Sequence, residues 1–160
     1  MWYNRENVNM KWLRKSIDLR LTGMSLQSWR SEISNNRLCI NYRIFKQDAG
    51  FETYLLNLCD SERITLSKFR SGNHRLPITE NRYVDNNEAK LCPLCNSNDP
   101  GDEFHYTLVC PVLDSSRKKY INKYYYNRPN ILKMNQLFNV TSQKQQSNLA
   151  RFAKIIMSLF

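Results

Sequence analysis

The sequence predicts a mainly α-helical fold in which a small cysteine-rich knuckle, a short β-turn plus a helix, is inserted among amphipathic helices. Two observations predict this fold: apolar residues recur at helical spacing along much of the chain, and three of the five cysteines fall within residues 92–110. The chain has 160 residues, which suffices for one ordinary domain or two small ones. Its composition is globular, with 41% hydrophobic residues.

The first element predicted is a helix, followed by an extended segment. Leu26, Trp29 and Ile33 recur at i, i+3 and i+7 before the turn-favouring pair Asn35 and Asn36, and we expect them to pack in a core. After that turn, apolar and polar residues alternate with the period of two that is typical of a strand. The apolar positions of this segment are Leu38, Ile40, Tyr42 and Ile44.

Helical spacing returns between residues 51 and 72. The first short helix has its apolar positions at Phe51, Tyr54, Leu55 and Leu58. Asp60 or Ser61 can cap the next helix, and Gly72 is placed to end it in a left-handed conformation. The apolar positions of that helix are Ile64, Leu66 and Phe69. A basic loop, residues 70–77, follows, because Pro77 disfavours helix in the residue before it.

Two more amphipathic helices are predicted after the knuckle, docked on the same core. Asn130 precedes the first, with apolar positions Ile131, Met134, Leu137 and Phe138. Ser142 and Gln145 form a capping-box pattern before the second, with apolar positions Leu149, Phe152, Ile156 and Leu159. We therefore divide the chain into a helical N-terminal region, 1–89, a knuckle, 90–112, and a basic helical C-terminal region, 113–160.

The charge is strongly positive and unevenly placed. The chain has 24 Lys and Arg against 14 Asp and Glu, and residues 115–160 hold nine basic residues and no acidic one. A segment of one charge sign favours a polyanionic partner, nucleic acid before anionic lipid, although a merely solvated basic face is the alternative. No stretch approaches the ~20 apolar residues of a membrane span, so we expect no membrane partner and an intracellular location, nuclear or cytoplasmic.

The cysteine-rich segment has the spacing of a metal site. Cys92, Cys95, His105 and Cys110 form the array C-x2-C-x9-H-x4-C, and Asp102 can cap the short helix that carries His105. Three thiolates and one imidazole make the closed tetrahedral set that Zn2+ accepts in structural sites, with no position left for a catalytic water. Buried reduced cysteines that simply pack are the alternative. The array therefore predicts a zinc knuckle with one structural Zn2+.

The sequence around this array resembles the C-terminal region of the endonuclease and reverse-transcriptase proteins of animal non-LTR (LINE-type) retrotransposons. The matching pieces are Tyr42-Arg-Ile-Phe-Lys46, Glu52-Thr-Tyr-Leu55, Lys68-Phe-Arg-Ser-Gly-Asn-His-Arg-Leu-Pro77, Glu80-Asn-Arg-Tyr83, and the array from Leu91 to Pro111. The resemblance implies a zinc knuckle that engages template RNA or target DNA without performing chemistry, with the polymerase part of the parent element as a possible partner. It also implies that Arg70, His74 and Arg75 belong to a basic motif before the knuckle, with a structural histidine that bonds the loop backbone as the favoured alternative for His74.

A second candidate nucleic-acid surface follows the knuckle. Arg117, Lys118, Lys119, Lys123 and Arg128 alternate with four tyrosines between residues 117 and 128. Basic side chains can neutralise phosphates while aromatic faces stack on unpaired bases, which favours single strands over a duplex. The alternative for any given tyrosine is a place in the core.

Three function classes remain after these observations. We expect a non-catalytic, zinc-dependent module that binds RNA or single-stranded DNA. The alternative is a structural or protein-interaction zinc module, accessory to a polymerase, without nucleic-acid contact. A zinc hydrolase or nuclease is disfavoured because no pair of carboxylates and no open metal position is visible. Tyr83-Val-Asp-Asn86 is similar to the polymerase motif Y-x-D-D, but it has Asn86 at the second aspartate, so we expect no enzyme.

Overall fold

The computed structural model describes residues 9–36 and 39–160, and this part of the chain is mainly helical, as predicted. Pairing of extended backbone is limited, among the described residues, to a single antiparallel bridge between Leu91 and Pro100. The chain divides into two units, residues 1–35 and residues 36–160. No helix of the described part is long and apolar enough to cross a membrane.

The first unit contains one long helix, α1 (Met10–Asn35). The side chain of Asn9 caps it by accepting hydrogen bonds from the backbone N–H groups of Lys11 and Trp12, at 3.1 and 3.2 Å. The helix ends at Asn35, where the sequence predicted a turn. The expectation of core packing is wrong for this helix, because none of its residues is buried and its predicted core positions are only half-buried.

The second unit is built from eight α-helices and three shorter helical turns among the described residues. The α-helices are α2 (Tyr42–Phe45), α3 (Tyr54–Asn57), α4 (Asp60–Arg70), α5 (Pro77–Glu80), α6 (Asp114–Tyr120), α7 (Lys123–Tyr126), α8 (Ile131–Phe138) and α9 (Gln143–Met157). Two 3₁₀ turns, Glu88–Lys90 and Pro111–Leu113, flank a π-helical turn, His105–Val109.

The predicted strand after the first helix is not formed. Leu38 lies outside the described residues, and the rest of that segment contains the one-turn helix α2 with only Phe45 buried. The ring of Phe45 stacks on Phe138 of α8 with 4.4 Å between the ring centroids. An alternating pattern cannot form a strand without a partner strand, and here the burial of one aromatic ring decides the local conformation instead.

The predicted helix end at Gly72 is confirmed. Gly72 has φ of 71°, and the N–H of Asn73 donates to the carbonyl of Lys68 at 2.9 Å. This is the left-handed end that glycine adopts without steric cost. Leu76 is extended, and α5 begins at Pro77, whose missing N–H costs nothing at the first helical position.

The core of the second unit contains residues from all three predicted regions of the chain, 1–89, 90–112 and 113–160, and extends from Phe45 to Ile156. Helix α9 lies at its centre, packing against α4 and α6, and it buries Leu149, Phe152 and Ile156. Helix α8 begins after Asn130, whose side chain accepts from the N–H of Lys133, as predicted. Ser142 precedes α9, but its side chain makes no capping hydrogen bond, so the predicted capping box is not formed.

Candidate metal centre

The four residues of the predicted array converge on one point. One donor atom from each of Cys92, Cys95, His105 and Cys110 lies within 4.8 Å of the others. Cys92, His105 and Cys110 are buried, and Cys95 is half-buried. The structure therefore provides a Cys3His group that can hold one metal ion.

The loop between residues 90 and 101 carries the first two cysteines. Its ends are joined by hydrogen bonds from Cys92 N–H to the Asp99 carbonyl, 2.9 Å, and from Gly101 N–H to the Lys90 carbonyl, 2.8 Å. A Cβ at Gly101 would lie 2.8 Å from the Tyr106 hydroxyl and 2.9 Å from Pro77 Cγ, so only glycine fits there. The loop is thus closed tightly against the core, with a single bridge where the sequence predicted a β-turn.

The helical segment that follows carries the other two ligand residues. Asp102 accepts a hydrogen bond from the His105 N–H at 2.8 Å, as predicted for the cap. The N–H of Cys110 donates to the carbonyl of His105 at 2.7 Å, a bond across five residues that defines a π-helical turn. In an α-helix, residues five apart point about 140° away from each other, and the wider turn brings them back toward one side. The sequence predicts an ordinary helix here, although the five-residue separation of His105 and Cys110 fits the π-helical turn that the structure shows.

The donor geometry fits a tetrahedral ion. Ligand bonds of about 2.3 Å to sulfur and 2.0 Å to nitrogen place tetrahedral donors roughly 3.5–3.8 Å apart, which is comparable with the 3.3 Å between Cys95 Sγ and His105 Nε2. The other ring nitrogen, Nδ1, is buried without a hydrogen bond and lies 3.4 Å from a carboxylate oxygen of Asp99. Asp99 is therefore placed to orient the imidazole, a role that histidine ligands commonly give to a carboxylate.

The thiols require a cation in order to ionise together. Burial, together with the neighbouring Cys92 and Cys95, raises the pKa of Cys110 to about 12. Burial also raises the pKa of Cys95, but hydrogen bonds with Ser97 and the other thiols outweigh that effect and bring it below its ordinary value. Burial lowers the pKa of His105, which keeps the imidazole neutral as a ligand must be. A bound divalent cation would supply the positive charge that this cluster lacks.

Arg117 is buried beside the centre, so it does not lie on the surface where the sequence analysis placed it. Its Nε donates to the carbonyl of Thr107 at 2.8 Å, and its Nη2 donates to the carbonyls of Cys110 at 2.7 Å and Tyr106 at 3.4 Å. These carbonyls belong to the π-helical turn and to the residue that ends it. The guanidinium therefore fixes the ligand-bearing turn to α6, and it cannot also contact a phosphate.

His74 is likewise internal, because its side chain is fully buried and its Nε2 lies 2.9 Å from a carboxylate oxygen of Glu103. The other oxygen of Glu103 accepts from the amide of Asn41 at 2.5 Å. The prediction of a nucleic-acid contact for His74 is therefore revised to a structural bond between the loop and the knuckle. The sequence gives no periodic signal for this pairing, since the two residues are 29 positions apart.

Arg70 is the third basic residue that the structure places in the interior. It is 1% exposed, pairs with Glu52 at 2.6 Å, donates to the carbonyl of Phe138, and lies with its guanidinium carbon 4.6 Å from the centre of the Phe45 ring. The side chain thus joins three elements of the core. It is not available to a phosphate on the surface, contrary to the prediction.

The remaining predicted basic residues are exposed: Arg75, Lys118, Lys119, Lys123 and Arg128. Lys118 pairs with Asp114 at 2.6 Å on the same helix, which raises its pKa. Lys118 and Lys119 follow Arg117 in α6, Lys123 begins α7, and Arg128 lies just after the end of α7.

The comparisons with known proteins add no relative. No protein-family model, no curated protein and no solved structure matches this chain.

Proposed function

We propose that this chain is a non-catalytic nucleic-acid-binding module, specific for RNA or single-stranded DNA, whose shape depends on one Zn2+ ion. The observation that carries the proposal is the position of Arg117, between the Cys3His centre and the exposed lysines that follow it in α6. Binding of Zn2+ to the four ligand residues then determines how α6 and its exposed lysines are positioned.

Zinc is the ion that fits the donor set best. Three sulfurs and one imidazole, whose donor atoms lie within 4.8 Å of one another, are soft and borderline ligands, which zinc accepts and calcium or magnesium does not. Four protein ligands fill its coordination shell, which suits a structural ion. Free thiols at all five cysteines also suit a reducing, intracellular compartment.

A nucleic-acid partner is supported by the charge of the exposed residues. After Asp114 the chain contains nine basic and no acidic residues. Of these nine, Arg117 is buried. The exposed lysines alternate with tyrosines, of which Tyr124 is 53% exposed and available for stacking. The resemblance to retrotransposon reverse transcriptases supports the same partner and adds the polymerase part of a parent element.

The test is a binding titration of single-stranded RNA, single-stranded DNA and duplex DNA over a salt series, on protein of measured zinc content. We expect about one zinc per chain and tighter binding of the single strands. The log–log slope against salt should steepen by about 0.7–0.9 for each phosphate contacted. Binding that does not change with salt, or protein that refolds without taking up zinc, would contradict the proposal.

A protein-interaction module is the second candidate, and one surface favours it. Ile40, Tyr83 and Val84 are exposed apolar residues around a cavity of about 310 Å3. In that case the zinc-loaded protein would bind a polymerase fragment and would not bind any of the three nucleic acids. Replacing Val84 with Asp would then abolish the interaction, whereas Lys118→Ala would leave it unchanged.

A further inference from the structure

A groove between the basic helices and α9 has the lining of a binding site. It has a volume of about 300 Å3, and three of the residues that line it are lysines: Lys118, Lys119 and Lys144. Tyrosine and amide side chains share the lining, among them Tyr125, Asn122 and Asn148. Lys144 lies in α9, within the basic C-terminal region but outside residues 117–128, where the basic residues and tyrosines are interleaved.

The walls of this groove are fixed by the core. Helix α6 packs on α9, and the ring of Tyr120 stacks on Phe152 with 6.4 Å between centroids. Ile121 and Leu137 also line the groove and are buried, so they form part of its floor. The lysines of α6 and α9 therefore line the groove from two helices that pack on each other.

The electrostatics of the groove favour an anion. None of its lining residues is acidic. Asp114 reaches Lys118 from the same helix, but no ion pair joins Lys119 or Lys144 to a carboxylate of the described residues. Lys119 and Lys144 thus line a cavity that has no acidic residue in its lining, and the Lys119 ammonium also lies 5.3 Å from the centre of the Tyr120 ring.

We propose that this groove binds one unpaired nucleotide of a single strand. Lys119 and Lys144 contact its phosphate from the two walls, and its base lies against Tyr125 and the amide of Asn148. A cavity of about 300 Å3 is at the lower limit of small-molecule sites, which suits a single nucleotide. The inference rests on the proposed function and deepens it, because it separates one defined subsite from the general attraction of a basic surface.

The test compares Lys144→Ala with Lys154→Ala, two exposed lysines of the same helix α9, of which only Lys144 lines the groove. Each variant removes one charge, so their general electrostatic effects are matched. The probe is a fluorescein-labelled decathymidylate, measured by anisotropy, with a labelled ten-residue abasic strand that keeps the phosphates and lacks the bases. Thermal unfolding and zinc content verify that both variants are folded.

We expect Lys144→Ala to weaken decathymidylate binding about tenfold and Lys154→Ala to weaken it less than threefold. The wild-type protein should bind the abasic strand several-fold more weakly than the decathymidylate, because the base contacts are lost. Equal effects of the two variants, or equal affinity for the two strands, would overturn the subsite and leave the proposed function standing. A wild-type protein that binds neither strand at low salt would overturn both.

Discussion

Replacement of Arg117 by alanine tests the connection between the metal centre and α6. The substitution leaves the carbonyls of Thr107 and Cys110 without their donors at 2.8 and 2.7 Å, and that of Tyr106 without its longer bond. A buried acceptor that loses its partner costs about 1–3 kcal/mol. If the two short bonds count fully and the long one is left out, the free energy of unfolding should fall by about 2–6 kcal/mol.

The assay is urea denaturation followed by far-ultraviolet circular dichroism on zinc-loaded protein, together with the rate at which a chelator removes the metal. The control is Lys118→Ala, the next residue, whose side chain is 63% exposed, so its replacement should leave the stability nearly unchanged. Arg117→Lys should recover only part of the loss, because an ammonium cannot reproduce the guanidinium fork. If Arg117→Ala were as stable as the control and lost zinc no faster, the coupling that we infer would be refuted.

Three further variants test the metal centre, the basic surface and an ion pair between α4 and α9. Cys95→Ser should abolish stable zinc binding, measured by elemental analysis. It should also lower the thermal unfolding temperature, because metal binding of this kind contributes ~10 kcal/mol or more. Retention of one zinc per chain would contradict this prediction. Lys118→Ala combined with Lys119→Ala should reduce the salt slope of nucleic-acid binding by up to about 2 at unchanged zinc content; an unchanged slope would exclude both residues from the interface. Glu62 pairs with Arg151 at 2.9 Å. Burial raises the pKa of Glu62, but its hydrogen bonds with Ser147 and Arg151 have the larger combined effect, so the pKa lies below its ordinary value. A carboxyl whose pKa is lowered in the folded state stabilises the fold at pH values above its pKa in the unfolded state, and this stabilisation is lost as the pH falls. Glu62→Gln should therefore cost about 1 kcal/mol at pH 7 and little near pH 3. An equal cost at the two pH values would argue against this pairing.

The sequence predicted the helices because their signals are local. Helices α4, α8 and α9 bury most of the residues that their spacing indicated, although Ile64, Ile131 and Leu159 are exposed, and the caps at Asn130 and Asp102 each depend on a neighbour three residues away. The convergence of the four ligand residues also followed from short spacings and the chemistry of the donors.

The failures have a common physical origin, which is long-range packing. Arg70, His74 and Arg117 have the composition of a nucleic-acid surface, and composition alone does not reveal whether a basic residue meets a phosphate or a buried carbonyl. Their partners lie 7 to 68 positions away in the sequence and are brought near by the tertiary fold. The strand predicted after α1 failed for the same reason, because no second strand is present among the described residues to pair with it.

The π-helical turn gives the metal centre two halves that are held differently. His105 and Cys110 are held by backbone bonds and by the interior around Tyr106, whereas Cys92 and Cys95 lie on a loop closed by two hydrogen bonds. The two halves of the centre thus depend on different parts of the unit. A substitution that loosens the 90–101 loop should release Cys92 and Cys95 and leave the turn that carries His105 and Cys110 in place.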